Sequence, residues 1–286
     1  MHEGQCRIFA QGVGVSMKTL FITDLDGTLL RSDKTISKEA SDILNRLISE
    51  GMAFSYATAR SIYSSSVLTE AIRFQLPLVT KNGAIIQNPD WSIVHENAFT
   101  KEEAEEIYQI LKQHGLDTIV ASFQNGAEKY SYDYTKISAG TQAFLDDHPG
   151  DKRENPVTGE GHLLDGSVHY FTTIGTQEEL WPAYEELRKK FRCICAKDTY
   201  SEDFWLEVMP WHATKADAIL QLKTLFGFEK VVVFGDAVND ISMFETADEC
   251  YAMENAVPEL KAIATGVIGS NNEDGVARWL EANYSV

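Results

Sequence analysis

Short apolar runs alternate along much of the chain with segments that are apolar at every third or fourth position. This alternation predicts strands and helices taking turns. "KTLFITD" (18–24) reads as a buried strand, and "TISKEASDILNRLISEG" (35–51) as the helix that follows it. In that helix Ser37 is the expected N-cap, Ile43, Leu44, Leu47 and Ile48 form the stripe, and Gly51 is the stop. "MAFSYATAR" (52–60) is a second strand, followed by a helix and then by "LPLVTKNGAIIQ" (76–87) as strand and turn. The same rhythm returns late in the chain. "KADAILQLKTLFG", "NDISMFETA", "VPELKAIA" and "EDGVARWLEAN" read as helices, with "KVVVFGD" and "ECYAM" as strands. Strand–helix alternation of this kind predicts an α/β fold built on a doubly wound, mostly parallel, Rossmann-like sheet.

The middle third breaks the rhythm. "TKEEAEEIYQILKQHG" (100–115) is an acidic amphipathic helix whose charged side should face solvent. "DTIVASFQNGAEKYSYD" (117–133) reads as a hairpin turning at Asn125-Gly126. An irregular stretch is expected from about 146 to 166, then a strand, a helix and two more strands. Hairpins mixed with helices predict a separate α+β unit inserted at 88–207, between core segments 17–87 and 208–286. Met17 is the expected start, with 1–16 an extension outside the functional reading.

Composition narrows the classes. The chain has 286 residues, 44% of them hydrophobic, which suits a folded protein with a substantial core. No run approaches the roughly 18 apolar residues of a membrane span. A formal net charge of −18 argues against nucleic-acid partners and anionic membranes. An anionic ligand would then need a metal or a few placed cations to reverse the field locally. Cys6, Cys193, Cys195 and Cys250 make no pair of metal-type doublets and suit a reducing cytoplasm.

The candidate chemistry lies where strands end. "FITDLDGTLL" finishes an apolar strand on Asp24 and Asp26, two carboxylates one residue apart. If the backbone turns at Gly27, both converge on the carboxyl edge of the sheet, where open α/β sheets place ligands. A hard cation such as Mg²⁺ would offset their repulsion. "VVVFGDAVND" ends a second strand on Gly235-Asp236, with Asn239 and Asp240 close behind. Thr58 in "SYATARS" sets a hydroxyl near a helix start, an arrangement suited to phosphate, although taken alone an ordinary N-cap explains it better. Lys215 sits in the first turn of its helix, against the dipole. Arg60 is either a substrate contact or a surface ion pair. His212 is the strongest of a weak set of histidines. The aromatic run "KYSYDY" (129–134) is expected to bury itself in its own sheet.

Taken in order, these stretches resemble the haloacid dehalogenase-like hydrolases, specifically Cof-type phosphatases with a subclass B type-two cap. "KNGA" (81–84), "GDAVNDISMFETA" (235–247), "AMENAVPELKAIA" (252–264) and "NNEDGVARWL" (271–280) extend the resemblance over most of 17–286. It implies that Asp24 is the nucleophile and Asp26 the acid and base. It also implies that Asp24, Asp236 and the Asp26 carbonyl hold Mg²⁺. Thr58, Ala59, Arg60, Lys215 and Asn239 would bind phosphate or substrate, with Asp240 in support. The expected activity is hydrolysis of a small phosphorylated metabolite, a sugar phosphate first. A phosphomutase and a non-catalytic phosphometabolite sensor are the alternatives. Two departures stand out: Ala59 replaces a glycine usual in the family, and Ala216 follows the motif lysine where glycine is common. Oligomeric state is not legible.

Overall fold

A computed structural model describes residues 18–198 and 202–284. The extension 1–16 and the expected start at Met17 lie outside these residues.

The first sheet is fully parallel. Its order is Gly266–Ile268, Glu249–Met253, Lys230–Gly235, Thr19–Thr23, Ala53–Tyr56. The chain steps from Thr19–Thr23 to Ala53–Tyr56 on one side and later returns to its other side as Lys230–Gly235. The topology therefore switches direction between two strands that both end on carboxylates. Crevices at such switch points are where open α/β sheets bind ligands. The Thr19–Thr23 and Lys230–Gly235 strands are almost wholly buried, as expected of strands covered on both faces.

The helices form for the reasons the pattern suggests. Ser37 Oγ accepts from the Ala40 amide and caps Lys38–Ser49, which buries Ile43, Leu44, Leu47 and Ile48. Lys215–Phe226 starts at Thr214, whose Oγ1 accepts from the Asp217 amide, and stops at the left-handed Gly227.

A three-stranded antiparallel sheet, Leu78–Thr80, Ile85–Gln87 and Ile93–Glu96, comes next in the chain. A six-stranded sheet follows, in the order Arg192–Lys197, Phe204–Met209, Ser167–Gly175, Ile119–Gln124, Ala127–Asp133, Glu154–Val157. The hairpin turns at Asn125 and Gly126, both at positive φ. On one face Lys101–Gln113 and Gln177–Leu187 bury Ile107, Leu111 and Leu180 against Val120, Phe171 and Leu206. The opposite face carries Tyr130, Tyr132 and Tyr170, packed with Ala84, Ile85 and Ala213.

Two elements depart from the pattern reading. The stretch expected to be irregular contains the Glu154–Val157 strand, paired parallel at the sheet edge. Its Pro156 is tolerated because an edge strand has one unpaired side. Ahead of it, Ala139–Asp147 is a helix with only Thr141 buried, so no apolar stripe announces it.

Among the described residues no helix is long and apolar enough to cross a membrane.

Candidate active site

Asp24 is the first residue beyond the Thr19–Thr23 strand, and its amide still donates to the Phe234 carbonyl at 2.9 Å. The backbone then turns at Gly27, with φ +75°, and Leu30 N returns to the Leu25 carbonyl. Only glycine fits this turn. A Cβ at Gly27 would lie 2.3 Å from Asp236 Oδ2, so the loop rests directly against the second acidic strand end.

Asp24 and Asp26 consequently face different partners. Asp24 Oδ1 accepts from Lys215 Nζ at 2.5 Å, and Asp240 Oδ1 accepts from the same ammonium at 2.7 Å. Lys215 and Asp240 are wholly buried and Asp24 nearly so. This resolves the oddity of a lysine in a helical first turn, since two carboxylates outweigh an unfavourable dipole. Burial alone would push the ammonium down, but Asp24 and Asp240 hold it above its ordinary range, so it stays charged. Asp240 Oδ2 accepts from the amides of Asp236 and Ala237, each at 3.0 Å. Both Asp240 oxygens are thereby engaged.

Asp236 accepts from Thr28 Oγ1 at 2.7 Å. Burial pushes its carboxyl up to about 6; the Thr28 bond works against this and the Asp240 charge adds to it. Burial likewise lifts Asp24 well above the usual carboxylate range, with Lys215 opposing and Asp240 and Asp236 reinforcing. Oxygens of Asp24, Asp236 and Asp240 lie within 4.8 Å of one another. With Asp240 committed to Lys215 and two amides, Asp24 and Asp236 remain as hard oxygen donors, a set that fits Mg²⁺.

Asp26 is half-buried and faces the other way. Arg60 grips it as a fork, Nε to Oδ2 and Nη2 to Oδ1, both at 2.7 Å. The sequence left Arg60 between a substrate contact and a surface ion pair; here it binds the neighbouring acid. Thr58 is buried, and its Oγ1 accepts from the Arg60 amide at 3.1 Å. Ala59 does not adopt positive φ, so alanine in place of glycine carries no backbone strain there. Asn239 lies half-buried in the turn Val238–Asp240, beside Asp240. His212 is exposed.

The pattern reading missed a second group of residues, on the seam between the sheets. Lys81, Asn82 and Gly83 are consecutive positive-φ residues, two of them non-glycine. Lys81 Nζ donates to Tyr130 OH at 2.9 Å, and Asn82 Nδ2 donates to Tyr170 OH at 3.2 Å. Arg153 Nη1 reaches Tyr130 OH at 2.5 Å and Ser61 Oγ, the cap of the helix after Arg60, at 2.8 Å. Tyr130 of the "KYSYDY" run thus spans the seam instead of only filling its own sheet. The available signals were that run and the "KNG" turn, and neither names its partner.

Gly83 ties the seam to Lys215. A Cβ there would sit 2.1 Å from the Thr214 carbonyl oxygen, at φ +98°. We expect Gly83→Ala to cost about 3 kcal/mol, from strain and a backbone clash, read as a lower urea midpoint.

Glu128 anchors the far side of the seam. It faces Arg153 at 3.3 Å and the fully buried His169 at 3.4 Å. Burial would raise its carboxyl, but His169, Lys81 and Arg153 hold it at about 2, against an ordinary 4.5. A carboxylate depressed in this way stabilises the fold above 4.5, and the contribution is lost as pH falls toward 2. Glu128→Gln should therefore cost about 3 kcal/mol at pH 7, with the gap from wild type shrinking below pH 4.5. Denaturation at several pH values reads this directly.

Two acidic strand ends at the switch point of a parallel sheet, a buried lysine between them and a second sheet overhead define a hydrolase of the haloacid dehalogenase class. Residues 21–280 match the haloacid dehalogenase-like hydrolase family, and the chain belongs to it. It is an enzyme, a phosphoric monoester hydrolase of that family.

Over 287 residues it is 28% identical to the 5-amino-6-(5-phospho-D-ribitylamino)uracil phosphatase YitU of Bacillus subtilis, covering 93% of this chain and 98% of that protein. It is 24% identical over 272 residues to the HMP-PP phosphatase of Serratia proteamaculans, covering 93% and 95%. Among solved structures it resembles a haloacid dehalogenase-like hydrolase from Bacteroides thetaiotaomicron, with 26% identity, TM-score 0.75 and coverage of 93% and 99%. TM0651 from Thermotoga maritima is similar at 25% identity and TM-score 0.76, covering 95% and 99%.

Proposed function

We propose that this hydrolase is a Mg²⁺-dependent cytoplasmic phosphatase of a small phosphorylated metabolite, a sugar phosphate first, acting through an aspartyl-phosphate on Asp24. The observation that carries the reading is the buried Asp24–Lys215–Asp240 chain beside Asp236. A binding protein would have no need of a nucleophile and an acid/base placed together. The names of the two phosphatase relatives point to small metabolites as the substrate class.

Mg²⁺ would be held by the Asp24 and Asp236 carboxylates and the Asp26 carbonyl. When bound, it offsets carboxylate repulsion and charge developing on the phosphoryl oxygens. Lys215 holds Asp24 Oδ1, leaving Oδ2 to attack phosphorus as the bond to the leaving oxygen breaks. Asp26 gives its proton to that oxygen. As a carboxylate it then takes a proton from the water that attacks the phosphoaspartate, releasing phosphate and restoring Asp24. Thr58, the Ala59 amide and Asn239 line the phosphoryl group, and the inserted unit at 88–207 closes over the leaving group as a cap.

The Arg60 fork occupies both Asp26 carboxyl oxygens. Donating a proton to the leaving group requires the fork to open. Arg60→Ala should lower kcat/KM by about 10²-fold by leaving Asp26 unpositioned, which steady-state kinetics reads. The proposal itself is tested by phosphate release from a panel of phosphorylated metabolites, with Mg²⁺ and with EDTA. Metal-dependent release supports it. An isomerised sugar phosphate without free phosphate would make the protein a mutase, and binding without turnover a sensor.

A further inference from the structure

A cleft of about 520 Å³ opens where the chain returns from the six-stranded sheet to the first. None of Asp24, Asp26, Thr58, Lys215 or Asp236 lines it. One side is the end of the Gln177–Leu187 helix and the start of the edge strand Arg192–Lys197, which contribute Arg188 and Arg192. The other side is the return segment 211–217, which contributes Trp211, Thr214 and Asp217. A volume of this size holds a metabolite.

Arg192 singles the cleft out. Its guanidinium makes no hydrogen bond or ion pair among the described residues, and its Nε is buried. Arginine stays charged in proteins, and a charge withdrawn from water is ordinarily paired. Burial draws the group down from its ordinary range, with Asp217 and Tyr170 opposing. Asp217 nonetheless stays beyond ion-pair distance, and its Oδ2 accepts from Thr214 Oγ1 at 2.8 Å. Arg188 adds a second cation, held at 3.0 Å by the exposed Glu185, a surface pair that contributes little. Two guanidinium groups thus line the cleft with one carboxylate. Trp211 lines it too and is 63% exposed, a large flat ring left in water.

We propose that this cleft binds a small oxyanion carrying a flat ring, with Arg192 pairing the anion and Trp211 stacking on the ring. A guanidinium fork matches carboxylate and phosphate alike, so the oxyanion is the shared chemistry. The site is separate from the acidic strand ends and does not depend on the phosphatase reading. Thr214 caps the helix that starts at Lys215. A ligand held here therefore joins the six-stranded sheet to the segment that leads into the buried lysine.

The test is a set of ligand-observed NMR titrations in EDTA, so that no metal draws anions to Asp24 and Asp236. Benzoate, acetate, benzamide and phenylphosphonate are compared on wild type, Arg192→Leu and Trp211→Ala. Wild type should bind benzoate with a Kd of about 1 mM. Acetate lacks the ring and benzamide the charge, and each should bind about tenfold more weakly or worse. Arg192→Leu should weaken benzoate about tenfold or more, and Trp211→Ala about fivefold. Both variants should fold, since one loses an unpaired charge and the other an exposed ring. The melting temperature of Arg192→Leu without ligand should equal or exceed that of wild type.

Phenylphosphonate bound in preference to benzoate, with the same dependence on Arg192, supports the site and makes its ligand a phosphate. Benzamide bound as tightly as benzoate overturns the proposal. So does benzoate binding that is unchanged in folded Arg192→Leu. Absence of binding by both benzoate and phenylphosphonate to wild type, at up to about 20 mM, overturns it as well.

Discussion

Asp24→Asn is expected to lower kcat by about four orders of magnitude or more while leaving the protein folded. The amide has neither the charge nor the lone-pair basicity to displace an alkoxide from phosphorus, and no neighbour can replace it. Both Asp240 oxygens are engaged by Lys215 and two amides, and Asp236 lies against the Gly27 turn. Stability should hold or rise. Lys215 keeps Asp240 as a partner, and removing one charge relieves the repulsion that helps to lift Asp24 out of its ordinary range. Circular dichroism and a melting curve report on the fold, and phosphate release reports on the chemistry. Near wild-type turnover would remove the covalent mechanism.

The second large effect is on stability and activity together. Lys215→Met strips the only cation hydrogen-bonded to Asp24 and Asp240 among the described residues, in a place that water does not reach. Breaking a buried pair on one side typically costs about 3–5 kcal/mol, because the abandoned charge keeps its desolvation penalty. Urea denaturation should show that loss at pH 7. It should diminish at lower pH, where the stranded carboxylates take up protons. Activity should fall by about 10³-fold, because the variant also lacks a fixed positive charge beside the transferring phosphoryl group. A variant as stable as wild type would mean that the site relaxes or admits water, contrary to the packing described here.

What could be read from sequence, and what could not, divides by distance along the chain. Asp24, Asp26 and Gly27 lie in one turn, and Asp236, Asn239 and Asp240 in another, so local spacing and an apolar strand in front suffice to mark them. Much of the first sheet is equally local, since Thr19–Thr23 and Lys230–Gly235 lie in mostly apolar runs and Lys38–Ser49 has its cap and stripe, whereas the edge strand Gly266–Ile268 is only three residues long and no pattern marks it. The seam is different. Lys81 meets Tyr130 across 49 residues, Asn82 meets Tyr170 across 88, and Arg153 meets Ser61 across 92. No periodicity links such pairs. Arg153 in particular sits in a stretch that reads as irregular because the strand that follows it, Glu154–Val157, is short, lies at an edge and contains Pro156. The fate of Arg60 was open for a related reason. Whether a guanidinium takes a substrate or a neighbouring acid depends on where the Gly27 turn sends Asp26, which spacing alone does not fix.

The most direct test of the central claim is to trap the covalent intermediate. Wild type and Asp24→Asn would be mixed with a radiolabelled phosphate monoester and Mg²⁺, quenched rapidly in acid and digested. The account predicts label on the peptide that contains Asp24, released by hydroxylamine as an acyl phosphate is, and no label in the variant. Steady turnover with no labelled peptide at any quench time, or label retained in Asp24→Asn, would contradict it.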